Sequence, residues 1–312
     1  MTVPVSTAGL GTVLLVQPDL ELERFARALA PALICAVELA PDAAGSVVAL
    51  VTAEVPVTAE AAERYPNLRV VATCSTGTEH IDVRGLAARG VAVCNAPTYC
   101  AEEVADHALA FLLGAWRELW TLDRGVRSGD WDPGLILRRF DAQRLGIVGL
   151  GSIGRALARR ARALGVEVVA HDPWAKTTGG VRLLALDELL ATVDAVAVHA
   201  PASPGDPPLI AGAQLATMKR GAVLINLARA SLVDIDAVCA ALYDGGLSAA
   251  AFDVWDTEPP LPDDERLSAP GLLLTPHVGW SSAQAADAVY EQAIDALQAV
   301  LLDEREPAGR VA

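Results

Sequence analysis

An arginine, a glutamate and a histidine occur late in the chain, each just after an apolar, strand-like run. The segments are Asn226-Leu227-Ala228-Arg229, Asp253-Val254-Trp255-Asp256-Thr257-Glu258-Pro259-Pro260 and Thr275-Pro276-His277-Val278-Gly279-Trp280. In open α/β sheets, ligands sit at the carboxyl ends of strands. One cation, one carboxylate and one imidazole there suffice to interconvert an alcohol and a carbonyl. The imidazole of His277 exchanges a hydroxyl proton near neutral pH. The carboxylate of Glu258 orients that ring and raises its basicity. The guanidinium of Arg229 polarises a carbonyl and holds a neighbouring carboxylate in a planar fork. Taken singly, each has a duller explanation: Arg229 in a surface ion pair, His277 capping a loop, Glu258-Pro259-Pro260 as a mere turn. Their joint occurrence after a glycine-rich loop is what makes the set informative.

That loop is Gly149-Leu150-Gly151-Ser152-Ile153-Gly154. It follows Leu145-Gly146-Ile147-Val148 and opens onto Arg155-Ala156-Leu157-Ala158, with His171-Asp172-Pro173 further on. Strand, glycine turn, helix start and acidic residue together are built to hold a dinucleotide pyrophosphate. Gly149 permits the tight turn, Gly151 lets backbone approach phosphate, and Gly154 lets the helix pack close to the strand. The helix N-terminus presents unpaired N–H groups and a partial positive charge. Asp172 accepts hydrogen bonds from the adenosine ribose and repels a 2′-phosphate. Pro173-Trp174-Ala175 offers no arginine to receive one, so NAD is favoured over NADP. The competing reading, a tight βα loop with no ligand, leaves the agreement of all the flanks unexplained.

At 312 residues the chain has length for two domains with substantial cores. Apolar residues make up 53 % and charged residues 20 %, which describes a globular chain and excludes a disordered one. A formal net charge of −15 argues against nucleic-acid binding through a general electrostatic footprint. Cys35, Cys74, Cys94, Cys100 and Cys239 show no CxxC spacing. They suggest neither a zinc site nor a disulfide framework and fit a reducing cytoplasm. Met1 to Gly11 lacks a basic region followed by an apolar core, so no secretory signal is expected there. The longest uncharged apolar stretch, residues 28–37, contains Pro31 and is too short to span a membrane. His80, His107, His171 and His199 are scattered, which argues against a metal cluster. His107 reads as a helix-face or interface residue.

Short apolar runs alternate with helix-like segments, the pattern of parallel sheets with helical crossovers. Strands are expected at Thr12–Gln17, Val47–Thr52, Val70–Cys74 and Val91–Cys94, with helices at Leu20–Leu29 and Val83–Arg89. A single long helix is expected from Glu102 to Arg127, acting as a connector or subunit-interface element. A second series of strands follows at Gly146–Leu150, Glu167–His171, Ala195–His199, Ala222–Asn226, Ala249–Asp253 and Leu272–Thr275. After Ser281 the spacing of Ala286, Val289, Tyr290, Ile294, Leu297 and Leu301 is helical. The expected fold is therefore α/β with two Rossmann-like domains and doubly wound parallel sheets. A nucleotide domain, residues 98–285, is inserted in a flavodoxin-like substrate domain made of residues 1–97 and 286–312.

The chain resembles the D-isomer-specific 2-hydroxyacid dehydrogenases over nearly its full length. The resemblance rests on Gly149–Gly154, Asp172, Asn226–Asp234 (NLARASLVD), Asp253–Pro260 (DVWDTEPP) and Thr275–Gly279 (TPHVG). It implies that Arg229 binds and polarises substrate, that His277 is the acid/base and that Glu258 is its partner. It implies NAD binding through Gly149, Gly151, Ser152, Ile153, Gly154, Asp172, Ala200, Pro201, Leu227 and Asp253, the last near the nicotinamide carboxamide. Thr73–Asp82 (TCSTGTEHID) looks like the family's substrate-carboxylate loop, with the N–H groups of Thr76 and Gly77 as donors. Asn95–Cys100, Glu103–His107 and Trp280–Gln284 look most like the branch holding phosphoglycerate dehydrogenases and C-terminal-binding proteins. That likeness places Trp280 on the substrate pocket. Cys74 and Cys100 then flank the cleft, without a catalytic thiol role. Two positions depart from the pattern. Ala230 replaces the usual glycine after the arginine, and Thr73 replaces an arginine that some of that branch carry beside the substrate.

The resemblance implies a homodimer, paired through the nucleotide domain, acting on a small-molecule 2-hydroxyacid or 2-oxoacid; cysteine usage, charge and the short apolar stretches add a cytoplasmic location with no nucleic-acid or membrane partner. Two alternatives stay open at this point. One is an NAD-responsive scaffold of the C-terminal-binding-protein type. The other is a dehydrogenase with a different hydride donor, such as phosphite or formate.

Overall fold

A computed structural model describes residues 10–40, 42–131, 134, 136–175, 177–203 and 205–312. Most of the Met1–Gly11 stretch, read above for a leader, lies outside them. The chain divides into two compact units, residues 1–100 with 282–312 and residues 101–281. The boundaries fall at 100/101 and 281/282, where the sequence suggests 97/98 and 285/286.

The first unit is a five-stranded parallel sheet of β1 (Thr12–Leu15), β2 (Ile34–Ala36), β3 (Val47–Thr52), β4 (Val70–Thr73) and β5 (Ala92–Cys94). The strand order is β2-β1-β3-β4-β5, the flavodoxin-like arrangement. Strands such as Val47–Thr52 are almost wholly buried, because helices cover both faces and no alternation of polar residues is needed. The last helix, Ala283–Leu301, belongs to this unit. Ser282 caps it by accepting a hydrogen bond from the Ala285 N–H at 2.9 Å. Its buried stripe of Ala293, Ala296 and Leu297 packs in one core with Phe25, Leu29, Val13 and Leu15. The backbone of residues 309–312 then pairs with Val93 and Asn95, covering the open edge of β5.

The second unit is a seven-stranded parallel sheet: β6 (Arg144–Val148), β7 (Glu167–His171), β8 (Arg182–Leu183), β9 (Ala195–Val198), β10 (Ala222–Asn226), β11 (Leu247–Phe252) and β12 (Leu272–Leu274). Its order is β12-β11-β10-β9-β6-β7-β8. The order reverses between β6 and β9, and a ligand crevice opens at such a switch point, outside the carboxyl ends of the strands. The glycine loop follows β6, and the segments carrying Arg229, Glu258 and His277 follow β10, β11 and β12.

One expectation is corrected. The helix expected over 102–127 is two helices, Ala101–Trp116 and Leu119–Arg127, broken where Glu118 turns left-handed with φ 54°. A short-range ring contact accompanies the break. The Trp120 ring folds back onto Gly114, where a Cβ would meet it at 2.7 Å. No helix among the described residues is long and apolar enough to cross a membrane.

Candidate functional site

The glycine loop divides its work among three residues. Gly149 has φ +95°, and a Cβ on it would lie 2.6 Å from the backbone of His199 and Ala200. Only glycine reaches that conformation and that contact. A Cβ on Gly154 would lie 2.1 Å from the Gly149 carbonyl oxygen, so the helix can start this close to β6 only without one. Around Gly151 a Cβ would meet nothing within 4 Å. Packing therefore does not demand glycine at 151, and the open space lies at the N-terminus of the helix Ser152–Ala163, where backbone N–H groups and the helix dipole favour an anion. A dinucleotide pyrophosphate fits this cradle. Arg155 lies in the first turn of that helix and donates to the Leu150 carbonyl at 2.8 Å, fixing the loop from the other side.

Asp172 sits at the end of β7. One carboxylate oxygen accepts the Leu150 N–H and the other the Trp174 N–H, both at 2.8 Å. The residue thus ties the glycine loop to the β7 loop, a role its spacing alone does not reveal. A carboxylate has about four lone-pair sites, so it retains capacity for a ribose diol. Ala200 and Pro201 follow β9 in the loop beside Gly149, and Leu227 is buried at the end of β10.

His199 lies at the switch point. Both of its ring nitrogens are buried without a hydrogen-bond partner, and burial pushes its pKa down from 6.5 to about 4. Because the folded form resists the proton, the unfolded chain binds more protons between these two values. Stability contributed by neutral His199 is present above pH 6.5 and is lost as pH falls through about 4. The expected loss across that window is about 3 kcal/mol. Denaturant unfolding at pH 7 and pH 4 in the parent and in His199→Leu checks it. The parent's decline should exceed the variant's, and equal declines would refute it.

Arg229 follows β10, in a turn fastened by buried Asn226. The Asn226 side chain donates to the Arg229 carbonyl at 2.9 Å and accepts the Ala228 N–H at 3.0 Å. The guanidinium donates to the Ala228 carbonyl at 2.8 Å. Ala230 then starts a short 3-10 turn. It is not among the non-glycine residues with positive φ, so its methyl adds no backbone strain.

His277 Nδ1 lies 2.8 Å from Glu258 Oε2. An ionised carboxylate only accepts, so Nδ1 carries the proton and Nε2 is left to exchange one with a reactant. Glu258 is itself anchored, with Oε1 accepting the Trp255 N–H at 2.9 Å. The two side chains remain 46 % and 39 % exposed, so the pair is reachable. They border a cavity of about 340 Å³ whose walls include Trp255, Pro259, Leu274 and Pro276.

His277 adopts φ 53°, unusual for a residue with a side chain. Asp253, only 3 % exposed, holds this loop. Its Oδ1 accepts the Thr275 hydroxyl at 2.5 Å and the Val278 N–H at 3.0 Å, and Oδ2 accepts the Gly279 N–H at 2.8 Å. His107, which reads from sequence as a helix-face or interface residue, reaches Thr275 Oγ1 through Nε2 at 3.1 Å. Trp280, next in the loop, is part-exposed. Asn226, Thr275 and His107 are the residues that sequence reasoning misses. A polar residue ending an apolar strand is the only signal for the first two.

In the first unit, Thr76 and Gly77 lie in the loop after β4. The Thr76 hydroxyl donates to the Ala96 carbonyl at 3.0 Å, and its carbonyl accepts from the Asn95 amide at 2.7 Å. Thr73 is fully buried and contacts Ser75 Oγ at 2.7 Å and His80 Nε2 at 3.2 Å, so its hydroxyl is spent on the loop itself. Burial pushes the Cys74 thiol up to about 12, which leaves no thiolate at neutral pH.

Residues 109–279 match the family described as the D-isomer-specific 2-hydroxyacid dehydrogenase NAD-binding domain. The chain belongs to this family of NAD-dependent oxidoreductases. It is 34 % identical over 264 residues to a glycerate dehydrogenase of Methylorubrum extorquens, covering 82 % of each protein. It is 36 % identical over 263 residues to the D-3-phosphoglycerate dehydrogenase of Mycobacterium tuberculosis, covering 83 % of this chain and 50 % of that one. The chain thus spans about half the length of that relative. Among solved structures, a protein from Thermus thermophilus superposes with a TM-score of 0.81 at 34 % identity, covering 96 % of this chain and all of that one.

Proposed function

We propose that this chain interconverts a small D-2-hydroxyacid and its 2-oxoacid, with Arg229, Glu258 and His277 as the working side chains. The observation that carries this reading is the His277–Glu258 pair, whose 2.8 Å contact engages Nδ1 and not Nε2. NAD, when bound, supplies the hydride acceptor or donor at nicotinamide C4. Gly149, Gly151, Ser152, Ile153, Gly154, Asp172, Ala200, Pro201, Leu227 and Asp253 would hold it. In the oxidising direction His277 Nε2 takes the hydroxyl proton, and in the reducing direction it returns it. Glu258 stabilises the imidazolium formed between these steps. Arg229 polarises the C2 carbonyl and pairs with the substrate carboxylate. The N–H groups of Thr76 and Gly77 are the carboxylate donors that the resemblance implies, and Trp280 is the residue it implies for the side-chain pocket.

Relatives named glycerate dehydrogenase and glyoxylate reductase support a small substrate. With Thr73 buried in its own hydrogen bonds, position 73 supplies no cation for a second acidic group. The protein would act in the cytoplasm as a homodimer through its nucleotide unit. Leu119 and Val126, seven residues apart on helix Leu119–Arg127 and both exposed, support such a contact. Light scattering on the purified protein reads the assembly directly.

The decisive assay follows NADH oxidation with glyoxylate, hydroxypyruvate, phenylpyruvate and phosphonate analogues. The small acids are expected to turn over fastest. NADH binding with no turnover on any acid would overturn the reading in favour of an NAD-responsive scaffold or another hydride donor.

A further inference from the structure

We propose that His107 is a positioning residue for the His277 loop, acting through the Thr275 hydroxyl on the buried carboxylate of Asp253. Hydrogen-bond direction fixes each link of this chain. The Asp253 carboxylate only accepts, so the Thr275 hydroxyl at 2.5 Å must donate its single proton there. Thr275 Oγ1 can then only accept from His107 Nε2 at 3.1 Å, which fixes His107 as the Nε2–H form. The ring is held in place by Phe111, edge-to-face with centroids 4.6 Å apart. Proton donation therefore runs one way, from helix Ala101–Trp116 through Thr275 to Asp253.

What hangs on this chain is the conformation of His277. The residue is left-handed at φ 53°, a state that persists only where its surroundings over-determine it. Those surroundings are Thr275 on one side and the Val278 and Gly279 amides on the other, all bound to the one carboxylate. His107 contacts neither Glu258 nor His277 in this chain of bonds. It sets the Thr275 hydroxyl, the hydroxyl sets the carboxylate, and the carboxylate sets the loop. Removing its donor leaves the half-buried Thr275 oxygen without that partner and lets the carboxylate turn away from the two amides.

The kinetic consequence rests on the function proposed above. His107→Leu is expected to lower kcat about tenfold to a hundredfold, since small displacements of a reacting group are amplified this strongly. KM should stay within about twofold, because the substrate loses no direct contact. His107→Gln, whose amide N–H can reach the Nε2 position, should recover most of the loss. Thr275→Val should match His107→Leu, and the double variant should be no worse than Thr275→Val alone. Multiplicative losses, or an unrescued His107→Gln, would overturn the proposal.

A second readout does not depend on turnover. Nitrogen NMR of the labelled full chain with NADH should show His107 protonated at Nε2, and His277 ring signals that shift in His107→Leu and return in His107→Gln. An Nδ1–H form of His107, or unmoved His277 signals, would refute the chain even if some acid turns over. Conversely, intact signatures without turnover would leave the chain standing and sink only the proposed activity.

Discussion

His277→Ala is expected to reduce turnover of the preferred 2-oxoacid by about a thousandfold or more while leaving NADH affinity within about twofold. A positioned general acid/base contributes about 10²–10⁴ in rate, and neither His107 nor His199 can replace it. His107 is spent on Thr275, and the ring nitrogens of His199 are buried. NADH binding should survive because the cradle around Gly149, Gly151 and Gly154 follows β6, whereas His277 follows β12. Glu258→Gln should be milder than His277→Ala. The single amide oxygen can still accept the Nδ1–H at the expense of the Trp255 N–H, but it no longer stabilises the imidazolium. Stopped-flow turnover and a fluorescence titration of NADH, run on both variants, separate the two effects. Residual turnover of the alanine variant within tenfold of the parent would remove His277 from the acid/base role. Lost NADH binding would mean that the residue supports the cofactor site instead.

The parts of this molecule legible in its sequence are those whose constraints are local. Gly149 and Gly154 announce themselves because a backbone conformation and a close helix start each forbid a Cβ, wherever the loop is placed. Strands such as Val47–Thr52 and Ala222–Asn226 are uninterrupted apolar runs because both faces are covered. Elements with no periodic pattern of their own are illegible. The helix break at Glu118 coincides with the Trp120 ring lying on Gly114, and the apolar spacing before it does not change in anticipation. The strand Arg182–Leu183 is two exposed residues at a sheet edge, and helix Glu60–Arg64 buries none of its residues. Neither carries a periodic signal.

The same distinction runs through the candidate site. Arg229, Glu258 and His277 stand out by residue type, because chemistry demands those groups. The residues that aim them do not. Asn226 looks like the end of a strand, Thr275 like a polar residue before a proline, and His107 like one more position on a helix. The roles of Thr275 and His107 arise only when separate segments converge on the carboxylate of Asp253, whereas Asn226 acts within its own turn. Positioning residues are hidden in sequence because many side chains can donate one hydrogen bond, and only the fold decides which of them does.

Asp172 combines both kinds of constraint, and a single substitution can separate them. If the carboxylate only ties Leu150 to Trp174, Asp172→Ala should loosen the glycine loop and weaken NADH and NADPH by the same factor. If it also receives the ribose hydroxyls, the variant loses interactions specific to NAD. Hydrogen bonds to a charged acceptor are worth about 1.5–3 kcal/mol each, so NADH should weaken by about a hundredfold. NADPH should weaken far less or bind better, because removing the negative charge ends its repulsion of the 2′-phosphate. The expected result is a NADH/NADPH affinity ratio that falls by about two orders of magnitude toward unity. Asp172→Asn sharpens the test. Its amide oxygen can keep one of the two backbone donors, at 2.8 Å in the parent, while the charge is gone. Discrimination should therefore collapse in the asparagine variant even where thermal stability is better preserved than in the alanine variant. A ratio unchanged in both variants, with NADH and NADPH weakened in parallel, would reduce Asp172 to a loop anchor and leave cofactor preference to be explained by other residues around the β7 loop.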